Sequence, residues 1–134
     1  VDADTAAFNK IMDAFGLPTG TETEKAARKQ AIQTATKYAI EIPYKVMETA
    51  YAGMHIIKAM AEKGNPNSVS DAGVGALCAR TAVMGAFMNV RINAAGYEDA
   101  EYVKEIVAKG NAIQEKTIAA ENEILQIVSE KIGL

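Results

Sequence analysis

The chain has 134 residues, of which 49% are hydrophobic and 6% aromatic, and its formal net charge is −3. This length suits one domain, and the alanine-rich apolar fraction favours closely packed helices over a sheet. The acidic balance gives no general attraction to nucleic acid or to an anionic membrane, and the lone Cys78 excludes an intrachain disulfide and fits a reducing compartment such as the cytoplasm.

Residues 1–15 predict a helix that ends at Gly16. Its spacing places five residues on one face, namely Asp4, Phe8, Ile11, Met12 and Phe15. If this face meets the core, Asp4 is partly desolvated, which suits a carboxyl group to proton transfer. The alternative is that Asp4 serves only as the N-cap of a helix beginning at Thr5.

A second, much longer helix is predicted from Thr21 to Lys63. Thr21 and Glu24 form a capping-box pattern, and Gly64 follows a cationic last turn. Pro43 removes one backbone donor, yet the apolar pattern resumes in phase after it. We therefore expect one helix with a kink near Ile42.

The stretch 64–95 predicts a polar turn followed by a helix from about Asp71 to Ala94, with Ser68 and Asp71 as a second capping box and Ser70 as a competing N-cap. Its glycines at 73, 75 and 85 each cost about 1 kcal/mol relative to alanine in a helix. The expected gain is close approach by neighbouring helices or by a flat ligand. A membrane span is not expected, because Arg80 lies near the centre of the apolar stretch.

The last helix is predicted to start near Glu98 and Asp99, acidic residues suited to a helix N-terminus. Its apolar stripe includes Val103, Gly110 and Val128. Together the segments predict an all-α up-and-down bundle of long helices, kinked at Pro43, as a single domain over 1–134.

Few residues have the spacing of a catalytic or metal site. One His and one Cys give no zinc pattern, so no metal is expected. His55 is interpreted as a packed or surface histidine, and Cys78 as a small buried hydrophobe. Asp71 has two interpretations that spacing leaves open, either as a helix-terminus residue or as part of a functional site.

Several ordered motifs together resemble a known family. They are VDADTAAF at the start, GLPTGTETEKAAR in the first turn, the Pro43 kink, GNPNSVSDAGVGA and GAFMNVRINA. The chain resembles the cyclodeaminase domain of formiminotransferase-cyclodeaminase, whose fold the methenyltetrahydrofolate cyclohydrolases share. The resemblance implies a helical folate enzyme that assembles at least as a dimer, and we expect a homodimer.

The resemblance also implies roles for individual residues. The catalytic aspartate of the family is the second Asp of the VDAD-like motif, here Asp4, which would move protons between folate N10 and the departing amine. Three residues match the GNxxxxSD pattern and are expected to bind the tetrahydrofolate substrate: Asn65, Ser70 and Asp71. Arg80 and Arg91 are expected substrate-binding cations on bundle reasoning alone.

One feature of the family is not found in this sequence. Its members carry, before this region, further helices and a Pro-x-Pro-Gly-Gly-Gly turn that helps to form the folate site.

The expected activity is cyclisation of formiminotetrahydrofolate to 5,10-methenyltetrahydrofolate with release of ammonia. The alternatives are the cyclohydrolase reaction, or a non-catalytic helical oligomerisation module if that upstream part is not supplied.

Overall fold

The computed structural model describes residues 2–133, and Val1, where the predicted first helix begins, lies outside them. Four α-helices follow one another, with a short 3₁₀ turn before the third. They are α1 (Asp2–Phe15), α2 (Glu22–Lys63), α3 (Val69–Ala94) and α4 (Ala100–Ile132), with the 3₁₀ turn at Pro66–Ser68. The described residues contain no strand, so the predicted all-α architecture is confirmed.

The long helix α2 begins as its sequence predicts. The Thr21 amide donates to Glu24 Oε2 at 2.8 Å, and the Glu24 amide donates to Thr21 Oγ1 at 3.2 Å, which completes the capping box. The helix continues through Pro43 to Lys63 as one element. At its end Lys131 Nζ of α4 donates to the Glu62 carbonyl at 2.6 Å, so a cation satisfies one of the last free carbonyls.

Gly64 is the C-cap of α2, but its backbone is not left-handed as it is in most C-cap glycines. Its φ is −72°, an ordinary value for any residue, so left-handed backbone does not require a glycine there. A Cβ at this position would lie 2.4 Å from the Met60 carbonyl oxygen. The glycine is needed because the turning backbone passes directly over the last turn of the helix.

The second predicted capping box is wrong. α3 begins at Val69 rather than near Asp71, and its N-cap Ser68 makes no side-chain capping bond. The Asn65 side chain instead accepts from the Asn67 amide at 3.0 Å and caps the 3₁₀ turn. The Ser68 amide, which the Asp71 side chain would bind in a capping box, donates instead to the Asn65 carbonyl at 2.9 Å.

α3 lies between α2 and α4, and its small residues admit both neighbours. A Cβ on Gly73 would lie 3.4 Å from the Val128 side chain of α4, and one on Gly75 would lie 3.8 Å from Ile57 of α2. Nothing lies within 4 Å of a Cβ on Gly85. The first two distances are ordinary van der Waals contacts and the third position is open, so an alanine would fit at each and close helix approach within one chain does not require these three glycines.

The core between α2, α3 and α4 forms two adjoining clusters. One includes Ile40, Met47, Val83, Phe87, Val90 and Ile106, and the other includes Met54, Ala61, Ala72, Ala76, Ile124 and Val128.

By length and composition alone, the described helical segment Pro66–Ala94 could cross a membrane, although 33% of its most apolar window is buried in the bundle. Its position between two packed helices is typical of a core helix in a globular protein.

Candidate functional site

Asp4 lies in the first turn of α1, which begins at Asp2 in the described chain. The alternative that Asp4 caps a helix starting at Thr5 is therefore wrong. The prediction that Asp4 is partly desolvated in the core is also wrong for a single chain, because its side chain is exposed. α1 packs against α2 through a smaller face centred on Ala7 and Ala14, both buried.

Three of the residues that share the Asp4 flank of α1 are large, apolar and exposed, whereas the fourth, Ile11, is half-buried. Phe8, Met12 and Phe15 are 61%, 53% and 50% exposed. Alanines allow α1 to lie close to α2, so the bulky side chains point away from that contact. Asp4 is thus a carboxylate at the edge of an apolar surface that has no cover within one chain.

The three residues of the GNxxxxSD pattern lie together at one end of the bundle. Asn65, Ser70 and Asp71 are all exposed, and Ser70 and Asp71 lie in the first turn of α3. Helix N-termini present free backbone N–H groups and partial positive charge, which suits them to anions or polar acceptors. The turn from residue 64 to 71, hereafter the entrance turn, can therefore offer polar contacts to a ligand.

Within one chain, Asp4 and the entrance turn are far apart. α1 runs along the first part of α2, since Lys10 Nζ lies 3.8 Å from the centre of the Tyr38 ring and Ala3 borders a depression formed with Ile42 and Val46. From the level of Val46 to the end of α2 at Lys63, just before the entrance turn, is about 26 Å along a helix that rises 1.5 Å per residue. One chain does not bring these predicted site residues into one pocket.

Arg80 is paired with Glu121, a buried carboxylate that was not among the residues predicted from the sequence. Its Nε lies 3.3 Å from Glu121 Oε2 and its Nη1 lies 3.4 Å from Oε1, while the two side chains are 39% and 3% exposed. The Nε–H group is buried and not aligned for a hydrogen bond. Glu121 therefore neutralises much of the charge that Arg80 was expected to offer a substrate.

Arg91 is placed differently. It is exposed, and its guanidinium carbon lies 5.8 Å from the Phe87 ring centre. No ion pair of Arg91 is found among residues 2–133. It borders a shallow depression with Met88 and Ile92, so a cation lies beside exposed apolar surface. Of the two predicted cations, Arg91 is the one whose charge is available to an anionic group.

The remaining candidates do not form a metal or nucleophile site. Within the part of the chain that the structure describes, no three His, Cys, Asp or Glu side chains come close enough to hold a metal ion. His55 is exposed and meets the Tyr51 ring edge-on at 6.0 Å. Cys78 is exposed rather than buried as predicted, because it lies on the side of α3 that faces neither α2 nor α4.

A groove of about 840 Å³ lies between α1 and α2. Alanines from both helices form much of its surface, with Leu17 and the paired Lys10 and Tyr38 beside them. It opens on the opposite flank of α1 from Asp4. Neither Asp4 nor the entrance turn contributes to it.

Comparison with known proteins identifies the family. The family model described as formiminotransferase-cyclodeaminase matches residues 1–112. The chain is 35% identical to methenyltetrahydrofolate cyclohydrolase of Methylorubrum extorquens over 97% of its own length, and spans 62% of that protein. It is 34% identical to formimidoyltransferase-cyclodeaminase of Dictyostelium discoideum over 96% of its length, and spans 23% of that protein. The chain therefore belongs to the formiminotransferase-cyclodeaminase family.

Proposed function

We propose that this chain is the helical part of a folate-dependent one-carbon enzyme that cyclises formiminotetrahydrofolate to 5,10-methenyltetrahydrofolate and releases ammonia. The observation that carries the proposal is the family match across residues 1–112, which includes Asp4, the entrance turn and both arginines. The chain spans 62% of the cyclohydrolase relative and 23% of the Dictyostelium relative. The proposal therefore concerns the whole protein to which these residues contribute.

Asp4 is the proposed acid–base group. In the reaction, folate N10 attacks the formimino carbon on N5, which closes a five-membered ring. The N10 proton must leave and the amino group must gain a proton before it departs as ammonia. One carboxylate can accept the first proton and deliver it to the amine, so Asp4 ends the cycle as it began.

The substrate contacts are proposed from chemistry and exposure. The side chains of Asn65, Ser70 and Asp71, which are exposed in the entrance turn, can bind the polar edge of a pterin ring. Arg91, beside exposed Met88 and Ile92, suits the carboxylates of the folate glutamate. Arg80 is retained as a weaker contact, because Glu121 already occupies part of its guanidinium.

The proposed enzyme is a homodimer. Asp4 and the entrance turn do not meet within one chain, and apolar side chains on α1 and on the outer face of α3 have no cover. Met88 and Ile92 of α3 are 67% and 72% exposed. A second copy would cover these surfaces and remove water from around Asp4, which strengthens electrostatic contacts in the site. Alternatively, segments that the longer relatives carry outside the matched region would cover these apolar side chains.

The cyclohydrolase reaction is the second candidate. The chain matches the Methylorubrum cyclohydrolase over 62% of that protein, a far larger share than of the Dictyostelium cyclodeaminase. Here water attacks the methenyl carbon and the formyl form results, so the same carboxylate can serve as general base. Assays of the full-length protein with both substrates, following ammonia release and loss of the methenyl form in water, distinguish the two activities.

A non-catalytic oligomerisation module is the third candidate. In that case the exposed apolar faces serve assembly alone. Calorimetric titration of the purified full-length protein with a tetrahydrofolate tests this directly. Binding with ammonia release supports the cyclodeaminase, whereas the absence of any heat of binding contradicts both enzyme proposals. Cytoplasmic location remains part of the proposal, on the strength of the lone Cys78.

A further inference from the structure

A side chain of α3 replaces the backbone bond that Pro43 removes from α2. Because proline has no N–H, the carbonyl four residues earlier, that of Ala39, loses its usual donor. Asn93 Nδ2 donates to this carbonyl at 2.9 Å, across the α2–α3 contact. Ala39 and Pro43 are both buried and Asn93 is half-buried, so water has little access to this carbonyl.

This contact lies in the part of α2 along which α1 packs, between Tyr38, which meets Lys10, and the residues of α2 that Ala3 borders. Ala3, next to Asp4 in the chain, borders a depression formed with Ile42, Val46 and Ala50, which lie on either side of Pro43 in the sequence of α2. α1 packs against α2 as its principal neighbour. The course of α2 around Pro43 therefore determines where the first turn of α1 lies relative to α3.

We propose that Asn93 is a positioning residue: it holds the Ala39 carbonyl freed by Pro43, fixes the shape of α2 beneath α1, and so places Asp4. The catalytic part of this inference rests on the proposed function, since it assigns proton transfer to Asp4. The structural part rests only on the contact between Asn93 and Ala39. The two parts are therefore tested by separate measurements.

The structural part is tested by a double-mutant cycle on the full-length protein, with Asn93→Leu, Pro43→Ala and the two combined. Asn93→Leu alone leaves the Ala39 carbonyl unpaired, and should raise the unfolding equilibrium constant about tenfold. In the Pro43→Ala background the new N–H at 43 can bond Ala39, so the same change should raise it less than about threefold. Asn89→Leu, at an exposed position one turn earlier on α3, is the control and should change it less than about twofold in either background.

The positioning part is tested by steady-state kinetics at a temperature where every variant is fully folded by circular dichroism. Displacing a catalytic group by about 1 Å can cost on the order of 100-fold in rate. We expect Asn93→Leu to lower kcat by about tenfold to 100-fold while KM changes less than about threefold. Pro43→Ala should lower kcat as well, and adding Asn93→Leu to it should have no further effect.

The outcomes separate the two parts. Equal effects of Asn93→Leu on unfolding in both backgrounds would overturn the link between Asn93 and Pro43. Coupled unfolding with an unchanged kcat would overturn the positioning role. If the wild-type protein turned over neither substrate, the proposed function would fail, while coupling in the unfolding cycle would still support the structural part.

Discussion

Gly110 of α4 lies directly against the ring of Phe87 of α3. A Cβ built on Gly110 would be 2.2 Å from Phe87 Cε2 and 2.7 Å from Cδ2, far inside van der Waals contact. Phe87 is 3% exposed and belongs to the core cluster between α2, α3 and α4. The ring has little room to move, so the close approach of α3 and α4 depends on a glycine at this position.

Gly110→Ala should therefore destabilise the protein despite the higher helix propensity of alanine. Overpacking of a core typically costs 1–3 kcal/mol, and we expect the free energy of unfolding to fall by about that amount. Gly53→Ala is the control, because no heavy atom lies within 4 Å of a Cβ at Gly53 and the change should be neutral or stabilising by up to about 1 kcal/mol. Urea unfolding of both variants measures the difference. Equal stabilities would show that the Phe87 ring yields without cost.

The Arg80–Glu121 pair predicts that Arg80→Met alone loses more stability than the double variant in which Glu121 is also replaced. Arg80→Met leaves Glu121, 3% exposed at its side chain, as a buried charge without a cation. Loss of one partner of a fully buried pair costs about 3–5 kcal/mol, and we expect about 2–3 kcal/mol here because Arg80 is 39% exposed. Arg80→Met with Glu121→Leu should recover most of that loss in urea unfolding. A double variant no more stable than Arg80→Met would contradict the pairing.

Tyr102 predicts a loss of stability at alkaline pH. Burial, with smaller contributions from Glu41, Tyr97 and Glu105, raises the pKa of Tyr102 from 10.0 to about 12. The folded protein thus keeps the phenol proton in a pH range where the unfolded chain has released it. The stability that the folded protein gains from the raised pKa of Tyr102 is fully present below pH 10, and it is lost as pH rises from about 10 to 12. Tyr102→Phe should show a shallower decline of the urea midpoint across that range, and an identical decline would contradict the assignment.

The outer face of α3 is predicted to mediate self-association. Its stripe of large exposed residues consists of Val74, Leu77, Met88 and Ile92. Met88→Lys with Ile92→Lys should convert a dimer to a monomer, because desolvating two charges against an apolar surface is costly. Ala112→Lys with Ala119→Lys adds the same charge at exposed positions of α4 and should leave the dimer intact. Light scattering distinguishes these outcomes, and a wild-type monomer at every concentration would refute the dimer.

The helices were predictable from the sequence because their signals are local. The Thr21–Glu24 capping box starts α2, and the Asp99 side chain accepts from the Tyr102 amide at 3.0 Å as the cap of α4. Pro43 does not divide α2, since the apolar pattern resumes in phase and a side chain from another helix satisfies the freed carbonyl. The Ser68–Asp71 pattern failed because the Ser68 amide donates to the Asn65 carbonyl and the Ser68 side chain makes no capping bond.

The candidate site was less predictable because it depends on which helix faces meet. The five-residue face of α1 is more apolar than its alanine face, yet the alanine face packs against α2 because it permits closer approach. Glu121 gave a usable signal, since it interrupts the apolar stripe of α4 between Thr117 and Ile124. Asn93 could not be identified from the sequence, because its role depends on the Ala39 carbonyl, which is 54 residues away in the chain.

Proton transfer by Asp4 on a folate substrate is tested most directly by measuring ammonia release from formiminotetrahydrofolate by the full-length protein. Asp4→Asn keeps the shape of the side chain but cannot accept the N10 proton, and should lower kcat by about 100-fold to 10,000-fold. Asp13→Asn makes the same change at an exposed position on the opposite flank of α1 and should remain within about twofold of wild type. Wild-type turnover by Asp4→Asn, in a protein that releases ammonia, would contradict the account.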